Sequence, residues 1–348
     1  MDIQARRIFR LSFTPALALA IAYGSSNPMP HIAPLFAFFL TMMPGPPLDA
    51  KKLTGLLILL VLTLGMGLLL IPMLLQFQMT ALLLVLLGLY LSSYLSVNLS
   101  KNLPGTFLAM GITIISAAGT VSYSLATMVI QSLVFSIIIA TLCHSLIYFL
   151  FPEDPPDSSR AQTPPAAIKN AVQSNWIAVR STIIVFPAYL LLLTNPAMYM
   201  PIAMKSVMLS QQASTMDAKS ASHQLIGSTL LGGLFAILFW FALGLWTNLW
   251  MFFLWMLLFS LFFSCKIYQL IRTRYPASFW LNTAVTMLIM LGPAVEDSAN
   301  GKDVYAAFFS RTALLILISL YAILAVYFLE FLKLHYKKRS QKKVFSEQ

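Results

Sequence analysis

Acidic residues are the scarcest chemical class in this chain. There are eleven Asp and Glu among 348 residues, and charged residues together make up only 9%, against about 25% in soluble domains. That scarcity excludes an ordinary globular protein with a solvated surface. It also leaves no aspartate-rich cluster of the kind a membrane-embedded lipid-modifying transferase needs. Cysteine is nearly missing: Cys143 and Cys265 both lie in or near apolar sequence, so no disulfide or zinc framework is available, and both read as small buried hydrophobes. No Walker A loop, zinc-ligand spacing or nucleophile elbow occurs; the glycine-rich GSTLLGG at 227–233 lacks the P-loop lysine. The expectation is therefore a protein that is not an enzyme, with no cofactor and no metal.

What is abundant is apolar sequence. Hydrophobic residues make up 59% of the chain and the mean hydropathy is +0.82. Runs of about 18 or more apolar residues, each able to cross a hydrocarbon layer of roughly 30 Å as a helix, recur as far as residue 332. A cleaved signal peptide does not account for them. The expected fold class is an all-α polytopic membrane protein with about 12 transmembrane helices. The spans fall at about 11–24, 31–43, 53–75, 79–97, 104–121, 125–151, 181–195, 198–212, 224–246, 248–265, 276–293 and 305–332. They divide into a first six-helix membrane unit at 1–151 and a second at 176–335. Residues 152–175, rich in proline, serine and charge, read as a cytoplasmic linker, and 336–348 as a basic cytoplasmic tail.

The net charge of +11 belongs to this topology. With the N-terminus inside, 19 of the 22 Lys and Arg (22 minus Lys205, Lys302 and Arg311) lie on the cytoplasmic side, as the positive-inside rule requires. Both termini are then cytoplasmic, and there is no folded basic surface for nucleic acid.

One stretch occurs twice. From Asn27-Pro28 the chain runs to Asp49-Ala50-Lys51, and from Asn195-Pro196 to Asp217-Ala218-Lys219; both ends share one offset of 168 (195 − 27 and 217 − 49). Further on, Gly55 and Gly227, Pro104 and Pro276, and Phe107 and Phe279 share an offset of 172. Six spans per half is an even number, so the halves are expected to be parallel repeats, related by an axis along the membrane normal. The segment inside each copy is short and interrupted by proline. Such segments at matching positions are a pointer to a transport site.

The candidate site residues follow from that frame. Lys205 lies near the middle of the span at 198–212. A cation at a helix centre costs roughly 2.5–3.5 kcal/mol on insertion scales, so it holds an organic-anion substrate, pairs with a carboxylate, or snorkels to the interface. Its offset partner, Ala37, is apolar, so an anion site there is one-sided. His31 opens the second span as either a loop histidine or a proton-coupling group. Asn27 and Asn195 either start turns or read the polar end of a substrate. Met204, with Met198, Met200 and Met208, offers a flexible surface for aromatic compounds. Asp49 and Asp217 are helix N-caps or coupling groups. Arg311 attracts an outgoing anion or pairs with Glu296 or Asp297.

The second half carries Gln224-Leu225-Ile226-Gly227-Ser228-Thr229-Leu230-Leu231-Gly232, and the first half keeps Lys52-Leu53-Thr54-Gly55. With the Pro-containing short span before it, this pattern resembles the fusaric-acid-resistance (FUSC-like) and aromatic acid exporter superfamily, whose glycine-rich span has the form R-x-x-G-T-x-x-G. Gln224 stands where that family has arginine, one extra residue separates the glycines, and the first half lacks the second glycine. The larger cytoplasmic domains of relatives are also missing. The resemblance implies a multi-pass permease of the bacterial inner membrane. It would export aromatic or other hydrophobic organic acids by proton-driven secondary transport. Partners implied are the organic anion, membrane lipid, a periplasmic membrane-fusion adaptor and a homo-oligomer. A passive organic-anion channel and a non-transporting subunit of an efflux assembly are the alternatives.

Overall fold

Helices are the elements that satisfy backbone polar groups within a single segment, so apolar spans of this length fold as helices. A computed structural model describes residues 3–25, 27–42, 45–98, 102–152, 171–213, 218–299, 301 and 303–346, and the regular structure among them is entirely helical. In chain order the first half comprises α1 (Ile3–Gly24), α2 (Ile32–Met42), α3 (Ala50–Gln76), α4 (Gln78–Asn98), α5 and α6 (Tyr123–Leu150). Helix α5 runs as Asn102–Met110, a π-helical turn Gly111–Ile115, and Ser116–Val121. The second half comprises α7 (Ala171–Thr194), α8 (Pro196–Ala213), α9 (Ala218–Leu245), α10 (Leu249–Ile267), α11 (Ala277–Ala299) and α12 (Val304–Ser346). Nine of these described helices are long and apolar enough to cross a membrane. The other three are α1, which opens on Arg6, Arg7 and Arg10, the 11-residue α2, and α8, which carries Lys205. The protein is a multi-pass membrane protein.

Two boundaries and one internal turn differ from the sequence expectation. Helix α7 begins at Ala171, inside the expected linker at 152–175; neither proline nor glycine occurs between Pro165 and Pro187 to stop it. The basic tail at 336–348 is no separate segment: α12 continues through it to Ser346, since KLHYKKRSQKK contains neither glycine nor proline. The span at 104–121 holds the π-turn, where Gly111 lies against the α3 backbone at Thr63 and Leu64. A Cβ at Gly67 would in turn overlap the Gly111 carbonyl, so two glycines let α3 and α5 approach closely.

Packing fixes which helices are central. Helix α1 lies along α10 and α7 lies along α4, so the first helix of each half packs on the fourth of the other. Helix α2 meets α11, and α8 meets α5. The most apolar stretches of α5 and α11 are 72% and 83% buried, while that of α3 is 22% buried. The centre is thus α2, α5, α8 and α11, and α3, α4, α9, α10 and α12 form the outer faces. Arg6 Nη1 donates to Pro152 O at 3.1 Å, and Asn98 Nδ2 to Asn175 Oδ1 at 3.2 Å. These bonds gather the ends of α1, α6, α4 and α7 at one end of the bundle, which also holds Lys51, Lys52 and Lys266 and is called the basic end below. The Asn27 and Asn195 turns mark the opposite, turn end.

Candidate functional site

Helix α2 is apolar all round and buried from Ile32 to Phe38, as a helix with no lipid face must be. Helix α8, at the offset position in the second half, is buried without a break over residues 201–210. Between their turn-end halves lies a cavity of about 260 Å³. Helix α2 and its preceding turn contribute Met29, His31 and Leu35, α8 contributes Met200, Pro201 and Met204, and α11 contributes Ile289, Pro293 and Glu296. Among the described residues of the wall, His31 and Glu296 are the titratable ones. The His31 ring lies against Gly292, where a Cβ would overlap the imidazole, and its buried Nδ1 has no hydrogen-bond partner among the described residues. Glu296 is four residues on from Gly292, one turn along the same face of α11. Tyr23 on α1 and Arg311 on α12 are close enough to act on the Glu296 charge.

Lys205 lies beside this cavity and is not part of its lining. Its side chain is 0% exposed, so it does not snorkel. Nζ donates to Asn282 Oδ1 and to Thr286 Oγ1, both at 2.6 Å. Asn282 Nδ2 donates to Ser228 Oγ at 2.6 Å, and Thr286 Oγ1 donates to the Asn282 carbonyl at 2.7 Å. The result is a polar knot tying α8, α11 and α9 together inside the second half. Helix α9 comes close enough to join it because a Cβ at Gly232 would meet Thr286 Cβ at 2.6 Å. Among the described residues, no carboxylate pairs with Lys205. Hydrogen bonds to a charged group contribute roughly 1.5–3 kcal/mol each, which offsets part of the several kcal/mol it costs to bury an ion.

The remaining candidates occupy other places. Asn27 is buried against α6, donating from Nδ2 to Ser136 Oγ at 3.1 Å and accepting from Ser132 Oγ at 2.6 Å. Asn195 is exposed and caps α8, accepting from Met198 N at 3.2 Å ahead of Pro196 at the first helical position. Neither lines the cavity. Asp49 is the exposed N-cap of α3 and accepts from Ala50 N at 2.9 Å; Asp217 lies outside the described residues. Arg311 Nη2 sits 2.6 Å from Asp297 Oδ2, a pair linking α12 to α11. Met204 lines the cavity, as Met200 does, while Met208 belongs to a second one.

That second cavity, of about 200 Å³, lies at the basic-end side of the same two helices. Phe36, Phe39 and Leu40 of α2 face it together with Met208 of α8, Leu56 of α3, and Phe107 and Met110 of α5. The two cavities meet α2 at the adjacent residues Leu35 and Phe36, and α8 at Met204 and Met208, about 6 Å apart along a helix. One helical turn thus separates them. Sequence reasoning missed Gly292, Asn282 and Thr286, and named Glu296 only as a partner for Arg311. All four lie on α11, and a Gly-Pro step followed by a carboxyl at 292–296 was the available signal.

Comparison with known proteins bears on the first half. Residues 7–147 match the family described as Protein of unknown function (DUF2955). The matched stretch starts in α1 and ends in α6, so it coincides with the first six helices and stops before the linker. Searches of curated proteins and of solved structures return no match.

Proposed function

We propose that this protein is a secondary-transport permease that moves hydrophobic organic acids outward across the bacterial inner membrane. The solute passes along the seam between α2 and α8. The observation that carries this reading is the turn-end cavity, walled by both short helices and by α11 and continued one turn away by a second cavity. Exchanging α1–α6 for α7–α12 reproduces the main packings between the halves, which supports two parallel six-helix repeats with the route between them. The family match over residues 7–147, which ends within α6, is consistent with that division. The gathering of Arg and Lys at one end supports cytoplasmic termini. The acid class and the membrane-fusion adaptor rest on the resemblance to the FUSC-like exporters.

In this reading His31 and Glu296 are the proton-exchanging groups. A carboxylate solute and the Glu296 carboxylate repel each other in a low-dielectric cavity, so entry of the acid and the charge state of Glu296 are coupled. Passage is thereby tied to proton occupancy. Lys205, next to Met204 in α8, acts from behind the wall by placing positive charge beneath the cavity. The test is flux of an aromatic acid panel in inverted vesicles under an imposed pH gradient. Glu296→Gln and His31→Ala are expected to lose most of the gradient-driven flux at equal protein levels. Flux that ignores the pH gradient and follows voltage would replace the permease with a channel.

A further inference from the structure

We propose that the basic-end cavity is a second solute site, which takes an uncharged aromatic molecule of one or two rings. The proposal rests on the permease reading for its place on a route, and on its own geometry for its chemistry. Phe36, Phe107 and Met110 form its base, each no more than 8% exposed, and Phe36 meets Phe107 edge-on with ring centroids 6.0 Å apart. Leu103, 39% exposed, lies at its rim, so the cavity reaches the surface of the bundle on the α5 side. Among its described wall residues Thr106 is the single polar one, and none is charged.

Volume and composition select the occupant. An apolar cavity of about 150 Å³ lined by Leu, Ile and Phe stays dry and holds benzene; this one is larger, at about 200 Å³, with the same kind of wall. Flat rings gain edge-to-face contacts with phenylalanine, and methionine adapts to their outline. A carboxylate entering here would lose its hydration with one hydroxyl, that of Thr106, and no cation to replace it, so the uncharged molecule is favoured. The second half explains why the space exists. Adding the offset of 172, Leu56 corresponds to Ser228 and Met110 to Asn282; adding 168, Ala37 corresponds to Lys205. Where the second half fills the position with the lysine knot, the first has an alanine on α2 and a hollow beside it.

The experiment uses the full chain in lipid nanodiscs with ¹³C-methyl methionine, titrated with 1-naphthol and, separately, with the anion 1-naphthoate. Naphthol is expected to shift Met110 and Met208 saturably, and naphthoate to leave them in place. Met66 and Met79, 51% and 79% exposed on the outer faces, report partitioning into the bilayer. Equal shifts at all four methionines would overturn the proposal as mere partitioning. Shifts confined to Met200 and Met204 would also overturn it, while leaving the permease reading intact. Met110 and Met208 signals that follow the acyl-chain composition and ignore naphthol would show a lipid tail as the occupant, which overturns it too. Saturable binding in a protein that moves no acid would keep the site and remove the permease. Leu56→Phe, which fills the cavity, is expected to abolish the Met208 response with Met200 and Met204 unshifted.

Discussion

The two halves of this protein use the same sequence words for different physical ends. Asn27-Pro28 and Asn195-Pro196 open equivalent short helices. Asn27 turns inward and clasps two serines of α6, whereas Asn195 stays exposed and caps its own helix. Ala37 and Lys205 share a register on α2 and α8, and both are fully buried. At the positions offset from Ser228 and Asn282 the first half has Leu56 and Met110, which line a cavity; around Lys205, Asn282, Thr286 and Ser228 close the space by hydrogen bonds. The same sequence words thus serve a polar, filled site in one half and an apolar, hollow one in the other. Close packing means that filling or emptying one position is felt by its neighbours, so the substitutions in each half come as sets.

The sharpest way to break that comparison is to exchange its central residues. Ala37→Lys buries an ammonium at a fully buried position, where the residues offset from Asn282 and Ser228 are the apolar Met110 and Leu56, and is expected to cost roughly 3–5 kcal/mol. Lys205→Ala leaves a void and two stranded acceptors, for a loss of about 3–4 kcal/mol. Lys205→Met combined with Asn282→Leu is expected to lose less than the sum of the two single changes. Thermal unfolding of the purified protein, followed by the folded fraction on gel filtration, measures all of these. A tolerated Ala37→Lys would show that the first-half position is hydrated and that the contrast between halves is wrong.

A smaller effect tests how α11 receives α2. Gly292→Ala drives a methyl group into the His31 ring and is expected to cost about 1–3 kcal/mol. The double variant Gly292→Ala/His31→Ala should recover most of that stability. Recovery of stability without recovery of flux would separate the packing of His31 from its proton exchange. The smallest effects compare the turns. Asn27→Ala strands buried serine hydroxyls and is expected to cost about 1–3 kcal/mol, and Asn195→Ala removes a cap worth about 1 kcal/mol. Equal losses would mean that the two turns are held alike after all.

Much of the frame was legible in the residues. The apolar spans, the short second and eighth segments, Asp49 as a cap and Met204 as a wall residue all follow from local pattern, and local pattern is what hydropathy and capping report. The candidate site was legible only in part. Lys205 announced itself as an anomaly, yet its partners Asn282 and Thr286 are 77 and 81 residues away, and nothing in the spacing of one helix names its neighbour. Asn27 looked like a turn residue, and its burial against α6 depends on a helix more than a hundred residues further on.

Composition and periodicity by themselves determined that this chain lives in a bilayer, as helices, with one stretch of sequence that occurs twice. That is because hydrocarbon forces every segment to satisfy its own backbone, and length and apolarity are counted along the chain. Which helices lie at the centre, where the two cavities open, and whether the buried lysine meets an anion, a carboxylate or an amide were decided by tertiary packing alone. In lipid there is little hydrophobic difference between one apolar face and another. The choice of neighbour falls to glycine-sized clearances and a few buried hydrogen bonds, which exist only once the helices have met.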